Sequence, residues 1–256
     1  MKGAVKTMYN FFVSEAADLD GRYSITGADF NHIKNVLRMR VGDTLLVSCD
    51  SRSDLCAIVD IGSDTVTACI VEENYRNTEL GVKIYLFQGL PKSDKMELII
   101  QKCVELGVHA IVPVEMSRCV VKLDEGKKNG KISRWQAISE SAAKQSKRNT
   151  VPEIMPVMSF KDALKMASEL DIFMVPYENK EGMLATKKAL EAIKKGSDIG
   201  IMIGPEGGFD EREIDEAIAV GGASVSLGKR ILRTETAAMT ALSMCMLYAE
   251  MNLGDS

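Results

Sequence analysis

Ile199-Gly-Ile-Met-Ile-Gly-Pro-Glu-Gly-Gly-Phe209 is a short apolar run that opens into a glycine-rich loop with one proline and one carboxylate. The run is largely β-branched and does not alternate with polar residues, as expected for a strand covered by helices on both faces of a parallel sheet. The glycines then permit backbone shapes that other residues resist. Asp210-Glu-Arg-Glu213 and a helical pattern follow, so the loop lies at the carboxyl end of a strand, where open α/β sheets bind ligands. Further on, Leu227-Gly-Lys-Arg-Ile-Leu-Arg-Thr-Glu-Thr236 repeats the order of strand end, glycine, polar loop and helix start. Two such loops can line one site.

Outward from this pair, strands alternate with helices, which predicts an α/β domain over residues 80–256. Val82–Gln88 reads as a strand. Gly89-Leu-Pro-Lys-Ser-Asp94 leads into a helix that turns Met96, Ile99, Ile100 and Cys103 inward, with Ser93 as its N-cap and Gly107 as its C-cap. A strand at Ala110–Val114 follows, then a helix over Lys131–Lys147, another over Lys161–Leu170 and a strand at Asp171–Val175 ending in Pro176-Tyr-Glu178. Helices at Met183–Lys195 and Glu211–Val220, a strand at Ala223–Leu227 and a last helix capped by Thr234 complete the pattern. Three strand ends thus precede polar loops, at Pro176, Gly204 and Gly228. Before this domain, residues 1–74 read as a small β-barrel with short strands at Thr44–Ser48, Leu55–Ile61 and Thr65–Val71. One helix interrupts it, Ala28–Leu37, with Phe30, Ile33 and Leu37 on one face. Residues 72–79 are polar and unpatterned, as in a linker.

The net charge of −4 excludes a wholesale nucleic-acid coat but not a local basic surface. From Arg118 to Arg148 there are nine Lys or Arg residues against Asp124, Glu125 and Glu140. On the helix within that stretch, Ile132, Trp135, Ala142 and Ala143 share one side while Arg134, Gln145 and Arg148 group on another. That second face suits either phosphates or plain solvent. Six cysteines without metal-like spacing and only two histidines argue for buried thiols and for no metal site. No apolar run reaches transmembrane length and the start lacks a secretory signal, so no membrane partner and a cytoplasmic location are expected.

Glycine-rich turns between strand and helix most often cradle phosphate. Gly204-Pro-Glu-Gly-Gly208 is neither GxGxxG nor a GK[ST] loop, and Glu206 would repel a phosphate. A neutral or cationic ligand fits better. No GxSxG elbow is present either.

The pair Ile203-Gly-Pro-Glu-Gly-Gly-Phe209 and Leu227-Gly-Lys-Arg-Ile-Leu-Arg-Thr-Glu-Thr-Ala237 resembles the signature of the RsmE family, the N3-uridine methyltransferases of small-subunit ribosomal RNA. Phe11-Phe-Val13, His32 with Val36-Leu-Arg38, Gly42-Asp43, Lys95–Gly107 and Glu140–Arg148 resemble family positions in the same order. The resemblance implies a SPOUT methyltransferase domain with a carboxyl-terminal trefoil knot, behind a PUA-like RNA-binding barrel. It also implies a homodimer, S-adenosylmethionine as methyl donor and a uridine of 16S rRNA in the small ribosomal subunit as acceptor. A knot departs from ordinary chain topology.

Carried onto this chain, the cofactor site comprises Pro176, Ile203, Gly204, Pro205, Glu206, Gly207, Gly208, Leu227, Gly228, Ile231, Leu232, Arg233 and Thr236. Leu227, Ile231 and Leu232 are expected to wall the adenine. Methylating N3 of uracil requires removal of its proton. Arg233 is the candidate for stabilising uracilate charge, and Glu235 or Glu206 for accepting the proton. RNA contacts are expected from Arg22, His32 and Arg38 in the barrel and from Lys92, Lys95, Arg118, Arg134, Gln145 and Arg148 behind it. Asn10 stands where the family often has Arg, which puts one RNA contact in doubt. Residues Met1–Thr7 precede the usual start and read as a disordered leader. The same loops are compatible with methylation of another RNA or base atom, and a catalytically silent ribosome-assembly RNA binder is the alternative from another class.

Overall fold

The computed structural model describes residues 8–121, 123, 125–177 and 182–254; the leader Met1–Thr7 and Glu178 lie outside them. The chain forms two compact units, residues 1–79 with 143–151, and residues 80–142 with 152–256. The second range of the first unit is a difference from the division read in the sequence, which left all of 80–256 together.

In the first unit the strands are β1 (Asn10–Phe12), β2 (Arg22–Thr26), β3 (Thr44–Cys49), β4 (Arg52–Ile61) and β5 (Thr65–Glu72), with helix α1 (Gly27–Asn31) running into a π-helical turn at His32–Val36. They form one sheet in the order β1-β3-β4-β5-β2, antiparallel except where β1 joins β3. Phe11, Tyr23, Ile25, Phe30, Ile33, Leu45, Val47 and Ile58 fill its core. The sequence reading of one helix over Ala28–Leu37 merges α1 and the π turn, and its inward residues Phe30 and Ile33 are indeed buried. The polar stretch before Leu80 is not a free linker. Glu79 accepts from the guanidinium of Arg148 and from the amides of Asn149 and Thr150, and Asn149 donates to the carbonyl of Arg76.

The second unit opens with β6 (Lys83–Gly89), α2 (Lys95–Glu105) and β7 (Ala110–Glu115). It continues with α3 (Glu125–Ser146), whose residues from Ala143 group with the first unit, then β8 (Glu153–Ile154), β9 (Met158–Ser159), α4 (Phe160–Ser168) and β10 (Ile172–Pro176). The rest is α5 (Met183–Glu191), β11 (Asp198–Ile203), α6 (Glu211–Ala219), β12 (Ala223–Val225) and α7 (Thr234–Leu253). The sheet runs β12-β10-β11-β6-β7-β8 with β9 also on β7, and every pairing is parallel. Ile199, Ile201, Met202 and Ile203 of β11 are all buried, as the unbroken apolar run requires. On one face, Phe87 and Met202 meet Ala163, Leu164 and Ala167 of α4 and Ile214 and Ala217 of α6. Helix α7 packs against β6, β11 and α2.

This order places a topological switch point between β6 and β11. The chain leaves β6 toward β7 and later returns to β11 on the other side, so the carboxyl ends of these two neighbours diverge into separate loops. Such a crevice is where open α/β sheets bind ligands.

Candidate active site

Two loops meet at the switch point, 89–94 after β6 and 204–210 after β11, and the first turn of α7, which follows loop 226–233 after β12, starts against them. Their approach depends on missing side chains. A Cβ on Gly89 would lie 2.8 Å from Pro205, and one on Gly204 would lie 3.1 Å from the backbone of Gly208. Gly208 and Gly228 have positive φ, of 68° and 106°.

A buried hydrogen-bond chain ties the loops together. Gln88 Nε2 donates to the carbonyl of Gly89 and to Thr234 Oγ1, each at 2.9 Å, and Thr234 Oγ1 donates to the carbonyl of Gly204 at 2.7 Å. The expectation that Thr234 caps α7 is corrected: Arg233 occupies the N-cap place and the Thr234 hydroxyl holds the other loop. Gln88 escaped the sequence reading. Its signal was a polar residue at the end of the strand read over Val82–Gln88, next to the loop that begins at Gly89.

A charged cluster sits beside this chain. Lys95 Nζ lies 3.0 Å from Glu206 Oε1 and 3.6 Å from Glu235 Oε2, and the Lys92 amide donates to Glu206 Oε1 at 3.0 Å. Burial pushes the Glu206 carboxyl upward, but the Lys95 ammonium and backbone amides outweigh it and hold its pKa below the ordinary value. The hydrogen bond to Glu206, more than the nearby charges, raises the Lys95 pKa. Among the described residues two buried oxygens accept no hydrogen bond within 3.5 Å, Gln88 Oε1 and Glu235 Oε2, the second facing Lys95 at 3.6 Å. Ser93 is not the N-cap of α2: it adopts φ 57°, and Asp94 takes that place.

Arg118 braces the loop from outside. Its guanidinium donates to the Gly207 carbonyl at 3.3 Å and lies 3.4 Å from Asp210 Oδ2. Asp210 and Glu213 form a capping box at α6, and Glu213 also accepts from the Ser117 amide at 2.7 Å.

Two family profiles match the chain, one described as an RNA methyltransferase domain over residues 78–246 and one as an RNA methyltransferase PUA domain over residues 25–71. Ribosomal RNA small subunit methyltransferase E of Bacillus subtilis is 42% identical over 237 residues, covering 91% of this chain and 93% of that protein. The chain belongs to the ribosomal RNA small subunit methyltransferase E family. A family structure, that of Neisseria gonorrhoeae bound to S-adenosyl methionine, superposes with a TM-score of 0.81 at 33% identity, covering 94% of this chain and 98% of that one. A putative methyltransferase of Legionella pneumophila in complex with the same cofactor gives a TM-score of 0.81 at 29% identity, with 94% and 98% covered.

The residues expected of this family do not all lie where the sequence reading put them. Ile203 ends β11, Gly204, Pro205, Glu206, Gly207 and Gly208 lie in the loop after it, and Leu227, Gly228 and Leu232 are half-buried in the loop after β12. Pro176 ends β10 opposite Val225 of β12. Ile231 is fully exposed, so its expected place in an adenine wall is corrected; Arg233 and Thr236 are exposed as well. Arg148 is corrected too, because it is 4% exposed and held by Glu79, which leaves no surface for RNA. Asn10 is equally buried, donating to the Arg148 carbonyl and accepting from Ser48 Oγ, so residue 10 is part of the core here. Lys95 belongs to the carboxylate cluster. Arg134 is exposed but paired with Glu97 at 2.9 Å, and Gln145 and Lys92 are exposed. In the first unit Arg22, His32 and Arg38 are exposed, with His32 edge-on to Phe11 at 6.1 Å.

Of the six cysteines, four are buried and Cys69 and Cys119 are half-buried. Among the described residues no group of three or more His, Cys, Asp or Glu is placed to hold a metal ion, and no helix is long and apolar enough to cross a membrane.

Proposed function

We propose that the chain is an S-adenosylmethionine-dependent methyltransferase that modifies N3 of a uridine in 16S rRNA of the small ribosomal subunit. The observation that carries this reading is the tie Gln88–Thr234–Gly204, which joins the two signature loops at the switch point of a parallel sheet. The residues fit the cofactor. Bare glycine backbone allows close approach, and the buried Gln88 Oε1 has no donor among the described residues. Lys95, Glu206 and Glu235 together carry one net negative charge, suited to a sulfonium. S-adenosylmethionine, when bound, supplies an electrophilic methyl group.

The chain's own residues do the rest. The loops 204–208 and 227–232 hold the donor through backbone groups, with Leu227 and Leu232 as apolar walls. Arg233 stabilises negative charge on uracil, and Glu235 or Glu206 accepts the N3 proton. Exposed Arg22, His32 and Arg38 hold the RNA backbone and stack on unpaired bases. The return of the chain from β12 onto the loop after β11 supports the trefoil knot. A homodimer is supported by α7, which leaves Leu247 and Met251 exposed, as Leu98 is on neighbouring α2. A ribosomal substrate makes the cytoplasm the place of action.

Calorimetry with S-adenosylmethionine, followed by labelled methyl transfer to small-subunit RNA, tests the reading. Saturable binding and transfer are expected, with Arg233→Ala and Glu235→Gln impaired in single-turnover transfer. Absence of cofactor binding would favour the silent RNA binder instead.

A further inference from the structure

Lys95 is the first residue of α2, where the positive end of the helix dipole disfavours a cation. Carboxylates from two other segments offset this: Glu206 from the loop after β11 and Glu235 from the first turn of α7. Their hydrogen bonding is unequal. Glu206 Oε1 holds both Lys95 and the Lys92 amide, fastening the 90–95 segment to the cofactor loop. Glu235 Oε2 is buried and meets the ammonium across a longer 3.6 Å. Glu235 is therefore held less tightly than Glu206, by one longer ion pair in place of two hydrogen bonds.

We infer that Lys95 is a positioning residue of the methyl-transfer site, pinning Glu206 as a brace and orienting Glu235, the less tightly held carboxylate, toward the acceptor base. The inference rests on the function proposed above and separates two carboxylates that residue chemistry alone leaves equivalent. In the proton step the N3–H bond of uracil breaks, its electron pair stays on N3, and the proton moves to the Glu235 carboxylate while Lys95 remains an ammonium. Glu206 takes no proton. Its Oε1 already accepts from Lys95 and the Lys92 amide, two donors against the single longer ion pair of Glu235, and its loss would loosen the loop.

The test uses the full chain, S-adenosylmethionine and small-subunit RNA. Lys95→Met is expected to lower single-turnover transfer at saturating cofactor and RNA by about 10- to 100-fold, the loss of a charged hydrogen bond. Lys95→Arg restores most of the rate, and RNA affinity with its salt dependence stays at the level of the unaltered chain. Glu235→Gln loses transfer but keeps cofactor binding by calorimetry, whereas Glu206→Gln weakens cofactor binding and regains transfer at saturation. Lys95→Met with an unchanged rate, weaker RNA binding and a salt slope reduced by about 1 would instead make Lys95 a phosphate contact and overturn the inference. So would transfer lost in Glu206→Gln at saturation and kept in Glu235→Gln. If the unaltered chain transfers no methyl group, the proposed function falls and the inference with it. An active chain indifferent to Lys95 removes the inference alone.

Discussion

Arg148 and Lys95 look alike in the sequence, each a cation near other cations in a protein built to meet RNA, and the fold gives them different work. Arg148 is sunk into the first unit, where Glu79 grips its guanidinium and Asn10 holds its carbonyl. Lys95 stays part-exposed, shared between Glu206 at 3.0 Å and Glu235 at 3.6 Å. The first pair secures the fold; the second arranges a site. What separates them is burial and what else their carboxylates hold.

The comparison breaks most sharply at Glu79. Glu79→Ala leaves the buried guanidinium without its carboxylate and is expected to destabilise the protein by about 3–5 kcal/mol in denaturant unfolding. A loss like that of an exposed pair, under about 1 kcal/mol, would mean that Arg148 is not structural. Glu79 also predicts a pH dependence. Burial raises its pKa, but Arg148 and the amides of Asn149 and Thr150 prevail and lower it below the ordinary value. A lowered folded-state pKa stabilises above the unfolded value, about 4.3, and that stability is lost as pH falls through the lower folded value. Unfolding curves from about pH 6 down to pH 3 should therefore show an acid-labile increment that Glu79→Gln abolishes.

At the site, Gly89→Ala forces a Cβ to within 2.8 Å of Pro205 and 2.9 Å of Met116 Sδ. A cost of about 1–3 kcal/mol is expected, with weaker cofactor binding because the 204–208 loop must shift. Thr234→Val, which removes the tie between Gln88 and Gly204, is expected to cost about 1–2 kcal/mol and to weaken the cofactor without affecting RNA affinity. The smallest effect belongs to Arg134→Ala. Its ion pair with Glu97 is exposed and contributes less than about 1 kcal/mol to stability, so any loss of RNA affinity in this variant reports a phosphate contact.

The same contrast explains what the sequence revealed. Loops 204–208 and 227–236 were legible because their glycines, apolar run and helix starts are local patterns that hardly depend on the rest of the fold. Pairings were not. The Lys92 amide meets Glu206 across 114 residues, and Asn149 meets Glu79 across 70. Periodicity says which face of a helix a cation occupies but not which distant carboxylate arrives there. Gln88 and Thr234 were hidden for the same reason. Ser93 was misread because Ser and Asp are both good N-caps, and nothing local shows that Ser93 turns into the left-handed region and yields the place to Asp94.

The central claim is that the two tied loops direct a methyl group to N3 of a uridine in small-subunit RNA. Its most direct test is to incubate the chain with S-adenosylmethionine and small ribosomal subunits from a strain lacking the corresponding methyltransferase, then digest the RNA and resolve the nucleosides by mass and chromatography. The account predicts one added methyl group, on N3 of a single uridine of 16S rRNA. A methyl group on another base atom or on another RNA would contradict it.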